Sequence, residues 1–274
     1  MSITQVDVVS DDGTFVAIPL REANVGYFFK DIEGLDPVKA DISTAAFGAT
    51  DGEQEQSSRR GSRNIVMHLG FDPDFAVDTV RSLRRALYRR LMPKTAIKLR
   101  FTLDDANIVQ IDGRVEEFGS PLFTREPGAD VSVICVKPDF YDLDNIEVAG
   151  NTTDGATEIP FTYDGDVGTG MIFRLFPNRA VGGFTIYHHG SGNVTQAMEF
   201  AYPMVAGDVL EINTNAREKG AYINHLGVRS SILYGVSPMA DWIQLVPNTN
   251  YIRVAASGAA IPYTITYKTK YGGL

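Results

Sequence analysis

Cysteine is almost absent from this chain, which has one among its 274 residues, and a single cysteine forms no internal disulfide. We therefore expect folding in a reducing compartment. Cys135 lies in an apolar, strand-like run, so the sequence predicts a small buried hydrophobe rather than a reactive thiol.

Basic residues are also in short supply, since 25 Lys and Arg face 34 Asp and Glu and give a formal net charge of −9. This balance argues against general nucleic-acid binding, which needs surplus cations to displace phosphate counterions. No apolar run approaches the ~20 residues of a membrane-spanning helix, so no membrane partner is expected. The first residues lack the basic start and apolar stretch of a signal peptide, which predicts a soluble protein made in a cytoplasm.

The usual catalytic motifs are missing as well. The sequence has no Gly-rich phosphate loop, no Cys or His pair at zinc spacing and no Gly-x-Ser-x-Gly elbow. His188-His189 is the one histidine pair, and neighbours on a strand point to opposite faces, which disfavours a shared metal. The acid pairs Asp104-Asp105 and Glu116-Glu117 fall where turns or strand ends are expected, which favours solvated carboxylates over a catalytic pair. We therefore predict no catalytic residue, cofactor or metal.

The first half contains strand-like segments, one helix and then further strands, an α+β layout. The helix is predicted from about Asp72 to Met92, with Asp72 as its cap and Pro93 as its stop. A polar, glycine-punctuated stretch of residues 48–63 is predicted to be a long loop, and Asp112-Gly113 a turn. The residues predicted to form the buried stripe of the helix are Ala76, Val80, Leu83, Leu87 and Leu91.

The second half shows no convincing helix. Short apolar strands recur between turn signals, a pattern typical of a β-sandwich or jelly roll. The sequence thus predicts a mainly β protein with an α+β domain at residues 1–144 and a β-sandwich domain at residues 145–274.

Two sets of residues are candidates for contacts. Arginines crowd the later turns of the helix, where they either complement the helix dipole from a solvated face or pair with acids of another subunit. The candidate intersubunit contacts are Arg81, Arg85 and Arg89 with Asp51, Glu53 and Glu55. In the second half, Trp242 and Tyr251 are candidate glycan contacts, although an aromatic residue in a sandwich is more often part of the core.

Several stretches carry sequence motifs in a fixed order, namely 62–69 (SRNIVMHL), 83–87 (LRRAL), 112–115 (DGRV), 136–141 (VKPDFY), 163–170 (YDGDVGTG), 207–214 (GDVLEINT) and 245–250 (LVPNTN). Taken in this order, they resemble the distal tail (Dit) proteins of long-tailed, siphovirus-type bacteriophages. The stretches of the first half resemble the family's N-terminal belt domain, and those of the second half its C-terminal galectin-like sandwich. Asn248 stands where the family's turn usually has glycine, and asparagine also tolerates a left-handed turn.

The resemblance implies a structural, non-enzymatic virion protein of the tail tip or baseplate, assembled in the host bacterial cytoplasm. It implies a homohexameric ring whose partners are the tail tube protein, the tail-tip hub protein and peripheral receptor-binding or side-fibre proteins. The genome would pass through the ring lumen without sequence-specific contacts. Two alternatives stay open: a module that binds host-surface carbohydrate through the C-terminal sandwich, and a glycan hydrolase, for which no acid is identified.

Overall fold

The structure, a computed structural model, describes residues 3–10, 13, 15–19, 26–46, 48 and 51–274. It divides into two compact units, one made of Met1–Leu143 with Tyr271–Leu274 and one of Asp144–Lys270. The sequence assigned residues 145–274 to one domain, which is wrong for the last four residues. These return to the first unit because the Leu274 N–H donates to the Leu35 carbonyl oxygen at 3.1 Å and Arg63 donates to the Gly272 carbonyl oxygen at 2.5 Å.

The first unit is built on a curled antiparallel sheet with strand order β2-β1-β7-β8-β9-β6-β3, and its two end strands, β2 and β3, contact each other. A separate two-stranded sheet pairs β4 with β5. The strands are β1 (Ile3–Ser10), β2 (Phe15–Pro19), β3 (Gly26–Glu33), β4 (Ala40–Ala46), β5 (Glu53–Arg60), β6 (Arg63–Asp72), β7 (Ala96–Leu103), β8 (Ile108–Gly119), β9 (Gly128–Cys135) and β10 (Phe140–Asp142).

Strict alternation along the strands produces the core of this unit. In β7, Ile97, Leu99 and Phe101 are buried while the residues between them are not, because successive side chains of a strand point to opposite faces. The buried side chains of β6, β8 and β9 join the same cluster, together with the apolar stripe of the helix. Cys135 is buried in this cluster, as predicted, and burial raises the pKa of its thiol to about 12.

Helix α1 spans Val80–Arg90 and begins later than predicted. Asp72 does not cap it, because Asp72 still pairs with Gly26 in the sheet. The cap is Thr79, whose hydroxyl accepts from the Ser82 N–H while the Ser82 hydroxyl accepts from the Thr79 N–H. Of the predicted apolar stripe, Leu83, Leu87 and Leu91 are buried, Val80 is half-buried and Ala76 is exposed.

Two predicted irregular segments are strands instead. Residues 53–60 form β5, so the predicted long loop is wrong over that range. Asp112-Gly113 is no turn, because both residues sit in the ladder between β7 and β8. Glycine is needed at position 113 for packing, since a Cβ there would lie 2.5 Å from Val133 Cγ1 and 2.9 Å from Cys135 Sγ.

The second unit is a β-sandwich, as predicted. Its six-stranded antiparallel sheet has the order β11-β22-β14-β17-β18-β19, its four-stranded sheet the order β12-β21-β15-β16, and β13 pairs with β20. The strands are β11 (Ile146–Asn151), β12 (Ile159–Tyr163), β13 (Thr169–Gly170), β14 (Ile172–Leu175), β15 (Val181–Gly190), β16 (Val194–Met204), β17 (Val209–Asn213), β18 (Gly220–His225), β19 (Val228–Ser231), β20 (Gln244–Leu245), β21 (Asn248–Ala255) and β22 (Pro262–Tyr267). The last strand, β23 (Lys270–Tyr271), belongs to the sheet of the first unit.

The core of the second unit lies between its two main sheets. The ring of Phe173 in the six-stranded sheet lies 5.5 Å from that of Phe184 in the four-stranded sheet, and Phe184 lies 5.3 Å from Phe200. Within the described ranges, no helix is long and apolar enough to cross a membrane. Both units are β structures with separate cores, and the residues that the structure describes are mainly β with one α-helix.

Candidate assembly surfaces

The hairpin of β4 and β5 is the most exposed element of the first unit. Every residue of β5 is exposed, and in the described part of the chain neither strand pairs with a further strand. An isolated two-stranded hairpin is at best marginally stable in water. The hairpin therefore offers open strand edges and a polar surface to another molecule.

The acidic candidates lie at the far end of this hairpin. Asp51, Glu53 and Glu55 are all exposed, and the hydroxyl of Thr44 donates to the Glu53 carboxylate. Ion pairs of the hairpin occur instead near its base, where Arg59 lies 3.7 Å from Asp41.

The arginine candidates line one exposed face of α1. Arg81, Arg85 and Arg89 follow each other at four-residue spacing, so they share a face of the helix. Arg84 differs, because its guanidinium donates to the Ser120 hydroxyl and the Pro121 carbonyl oxygen of a neighbouring loop. Within the described residues, Arg81, Arg85 and Arg89 form no ion pair with Asp51, Glu53 or Glu55.

The two aromatic candidates sit in different surroundings in the second unit. Trp242 is half-buried against the core, and the Lys219 ammonium lies 5.3 Å from the centre of its ring. Tyr251 is 42% exposed on the outer face of the four-stranded sheet, in register with His189. No ring contact joins Trp242 to Tyr251 within the described chain, so they do not form one continuous platform.

The histidine pair divides between two faces, as predicted from the strand geometry. His188 is fully buried, and its Nδ1 and Nε2 face Gln196 Oε1 at 3.1 Å and Asn250 Oδ1 at 2.8 Å. His189 points outward and contacts Glu158 at 2.8 Å. Among the described residues, no cluster of three or more His, Cys, Asp or Glu is arranged to hold a metal ion.

The turn at residues 245–250 is organised by Asn250. Its side-chain amide donates to the Val246 and Asn248 carbonyl oxygens, and its Oδ1 accepts from the Val246 N–H. Asn248 adopts a left-handed φ of 73°, which agrees with the expectation that asparagine replaces the usual glycine there. The buried contact between Asn250 and His188 was not predicted, because a hydrogen bond across 62 residues leaves no local signal.

The acid pairs occupy structural positions. The Asp105 carboxylate accepts from the Asn107 N–H in the turn between β7 and β8, and the Glu116 carboxylate accepts from the Ser132 hydroxyl across strands. An open groove of about 420 Å³ on the second unit is lined by two further acids, Asp154 and Glu199. Within the described chain, neither carboxylate has a hydrogen-bond or ion-pair partner, so nothing orients the two side chains as an acid–base pair.

Sequence reasoning missed the role of Arg63. This residue is 1% exposed, and its guanidinium donates to four backbone carbonyl oxygens, at distances of 2.5–2.7 Å. The only sequence feature that could have indicated this role is the position of Arg63 in the stretch 62–69, a run that otherwise alternates as a strand. A buried cation with fork geometry can hold several chain segments at once.

Comparison with known proteins gives one sequence match and several structural ones. The profile of a family described as a siphovirus-type tail component, C-terminal domain (SPP1 Dit), matches residues 164–271. No curated protein sequence matches the chain. Among solved structures, the Dit (gp 19.1) protein of phage SPP1 is 17% identical, with a TM-score of 0.69 over 97% of this chain and 98% of that chain.

A chain of the phage P2 baseplate, in its activated conformation with Ca, is also similar in fold. It is 10% identical, with a TM-score of 0.51 over 98% of this chain and 99% of that chain. At such low identities the structural matches show the fold alone, and the sequence profile covers less than half of the chain. We conclude that residues 164–271 match the siphovirus-type tail component family in sequence and that nearly the whole chain shares the fold of SPP1 Dit.

Proposed function

We propose that this protein forms a homohexameric ring at the tip of a phage tail, where it joins the tail tube to the tail-tip hub and the adsorption apparatus. The observation that carries the proposal is the fold match to SPP1 Dit over nearly the whole of both chains. That protein is described as a paradigm of the hub adsorption apparatus in phages that infect Gram-positive bacteria. The second match comes from a baseplate.

In this proposal the first unit is the belt that closes the ring, and the galectin-like second unit faces outward. The partners are copies of this chain, the tail tube protein, the tail-tip hub protein and peripheral receptor-binding or side-fibre proteins. The role is structural rather than catalytic, and the ring is assembled in the host bacterial cytoplasm before it enters the virion. The acidic balance of the chain suits a lumen through which DNA slides without sticking.

The hairpin and the arginine face of α1 supply a specific ring contact. Strand residues two apart, such as Glu53 and Glu55, are separated by about 6.8 Å, and helix residues four apart, such as Arg85 and Arg89, by about 6 Å. The two rows of opposite charge therefore have similar repeats. A head-to-tail contact between the hairpin of one copy and α1 of the next uses different surfaces on each side, which is what a closed ring requires.

Ring formation is tested by measuring the mass of the purified protein in solution and by electron microscopy of phage particles. We expect a six-copy species at high concentration and a ring at the tail tip when the chain carries a label. A protein that stays monomeric at high concentration, with no labelled ring in particles, contradicts the proposal.

The contact itself is tested by charge reversal. Arg85→Glu with Arg89→Glu should weaken ring formation, and Glu53→Arg with Glu55→Arg in the same chain should restore it. Exposed ion pairs contribute about 0–1 kcal/mol each, so two pairs per interface predict a loss of up to about thirtyfold in association, larger at low salt. Arg217→Glu with Lys219→Glu, in the second unit, is the matched control and should assemble normally. Unchanged assembly of the Arg85 and Arg89 variant would leave those arginines on a solvated face.

The carbohydrate alternative is not favoured by any contact of its candidate residues. Trp242 is half-buried and covered by Lys219, which leaves Tyr251 as the more exposed ring. Loss of binding to host polysaccharide in a folded Trp242→Ala variant would revive this alternative. The hydrolase alternative requires an oriented acid pair, and the acids described above have no such arrangement.

A further inference from the structure

The hairpin between β18 and β19 turns through a residue that is unusual for its conformation. His225 pairs with Val228, so Leu226 and Gly227 form a two-residue turn. Their φ angles are 50° and 84°, both in the left-handed region that defines this hairpin turn. Asn-Gly is the preferred pair for such a turn, and a bulky leucine with positive φ is a backbone outlier.

No packing compensates for this conformation. Leu226 is 89% exposed and Val228, next to the turn, is 66% exposed. A leucine that buries nothing and adopts a strained backbone contributes less to folding than asparagine would at the same position. Strain held at an exposed position points to a role outside the folded chain itself.

The support of the turn is rigid. The Asp208 carboxylate is 5% exposed and accepts from His225 Nδ1 at 2.6 Å and from the Val205 N–H at 2.8 Å. The Asp208 carboxylate thus links the ring of His225, next to the turn, to the backbone of the loop at Val205. On the strand after the turn, the Arg229 guanidinium donates to the Glu211 carboxylate at 2.8 Å, and this hydrogen bond joins β19 to β17. These hydrogen bonds restrain the residues that flank the turn, which lowers the entropy cost of binding through its apolar tip.

We propose that Leu226, with Val228 next to it in the hairpin, is a docking peg that enters an apolar pocket on a different protein of the tail. This inference rests on the proposed function, because it assumes that the chain is built into a tail. The two exposed aliphatic side chains, Leu226 and Val228, cover roughly 200 Å², well below the about 800 Å² per partner of a stable interface. The peg is therefore too small to drive self-association. It fits a pocket that encloses it within a larger assembly held by other contacts.

The stability of the purified protein provides the first test. Leu226→Asn should leave the thermal midpoint of the second unit unchanged or raise it, because asparagine adopts positive φ more readily than leucine. A lowered midpoint would show that Leu226 supports the fold, and it would overturn the peg. The thermal midpoint therefore distinguishes the two roles, because Leu226→Asn would lower it only if Leu226 had a structural role.

Assembly provides the second test. Phage that lack this gene are complemented with the wild-type chain, with Leu226→Asn or with Met239→Gln, an apolar residue that is 91% exposed elsewhere on the same unit. We expect the titre to fall about tenfold or more with Leu226→Asn, the loss expected when one enclosed leucine is removed from a contact. The Met239→Gln control should complement normally. A normal titre with Leu226→Asn would overturn the proposal.

A diazirine-bearing leucine analogue at position 226 then identifies the partner in assembled particles. A photo-crosslink to a different tail protein supports the peg. Crosslinks only to another copy of this chain, or none in particles that contain the chain, would overturn it and leave the proposed ring untouched. Absence of the chain from particles would instead contradict the proposed function together with this inference.

Discussion

At the scale of single residues, Arg63 shows how one side chain organises the first unit. Its Nε donates to the Pro138 carbonyl oxygen, its Nη1 to those of Gly34 and Asp36, and its Nη2 to that of Gly272. These acceptors come from three distant parts of the chain. A hydrogen bond from a charged donor contributes more than a neutral one, and buried acceptors that lose it stay unsatisfied.

Replacing Arg63 should therefore be strongly destabilising. We expect Arg63→Ala to lower the free energy of unfolding by about 3 kcal/mol or more, measured by chemical denaturation. Arg63→Lys should recover only part of this loss, because an ammonium lacks the planar fork that reaches several carbonyls. Arg59→Ala, at an exposed arginine, is the control and should change stability by less than about 0.5 kcal/mol. Equal losses for Arg63→Ala and Arg59→Ala would contradict this account.

Two histidines should respond to pH in opposite directions. Burial lowers the pKa of His188 below its usual value, an effect that its contacts with Asn250 and Gln196 only partly offset. The hydrogen bond to Asp130 raises the pKa of His68, against a smaller opposing effect of burial and with a further contribution from Glu33. A neutral buried histidine must become protonated for acid unfolding, whereas a protonated, paired one stabilises the folded state.

The pH dependence of the two units follows from these signs. His188 binds its proton more readily when unfolded, so its contribution to the second unit should be lost as pH falls below about 6.5. His68 binds its proton more readily when folded, so its contribution to the first unit should be present below about 6.5 and lost as pH rises through the raised pKa. Thermal unfolding between pH 5 and pH 8 with His188→Gln and His68→Gln tests both. His188→Gln should flatten the pH dependence of the second unit, and His68→Gln that of the first unit. If both histidines changed the stability of their units in the same direction with pH, this assignment would be refuted.

At the scale of elements, the β4–β5 hairpin is nearly separate from the fold that carries it. All residues of β5 are exposed, and the hairpin forms its own two-stranded sheet. An element that buries so little contributes little to the stability of the unit. Its presence is better explained by contacts with another chain.

Removing the hairpin should therefore separate folding from assembly. We expect that joining residue 41 to residue 59 through a short Gly-Ser linker changes the free energy of unfolding by no more than about 0.5 kcal/mol, while ring formation is lost. Chemical denaturation and solution mass measure the two effects. A shortened chain that unfolds much more easily, or that still forms rings, would show that the hairpin belongs to the core or is not a ring contact.

At the scale of the whole molecule, the C-terminal residues belong to the first unit although the chain has by then built the second. The Tyr271 hydroxyl donates to the Asp142 carboxylate at 3.1 Å, and Leu274 packs against the core of the first unit. Together with the hydrogen bond from Arg63 to the Gly272 carbonyl oxygen, these contacts make the first unit discontinuous in sequence.

Truncation after Lys270 should consequently destabilise the distant first unit. We expect its calorimetric transition to fall by at least about 4 °C, because the truncation removes a charged hydrogen bond, a backbone hydrogen bond and a packed leucine. The transition of the second unit should stay unchanged. Removal of Leu274 alone is the graded control and should give a smaller shift. A shift confined to the second unit would contradict this assignment.

The sequence by itself determined the elements whose evidence is local. Short apolar runs predicted that both halves are built of strands, and leucines at helical spacing located the buried face of α1. The resemblance in residues 62–69, 163–170 and 245–250 pointed to the family whose profile matches residues 164–271. For the site, however, the sequence supplied charged candidates without showing which of them lie near one another.

Only the tertiary structure decided the rest, because the responsible contacts join residues far apart in sequence. Polar β5 has no apolar alternation, since neither of its faces packs on a core, so a strand there was not predicted. The burial of Arg63, the return of residues 271–274 and the contact between His188 and Asn250 all depend on chain segments that meet only after folding. The strain at Leu226 likewise appears only once pairing of its flanking strands imposes the turn, because a backbone angle is set by the closure of the hairpin and not by the leucine itself.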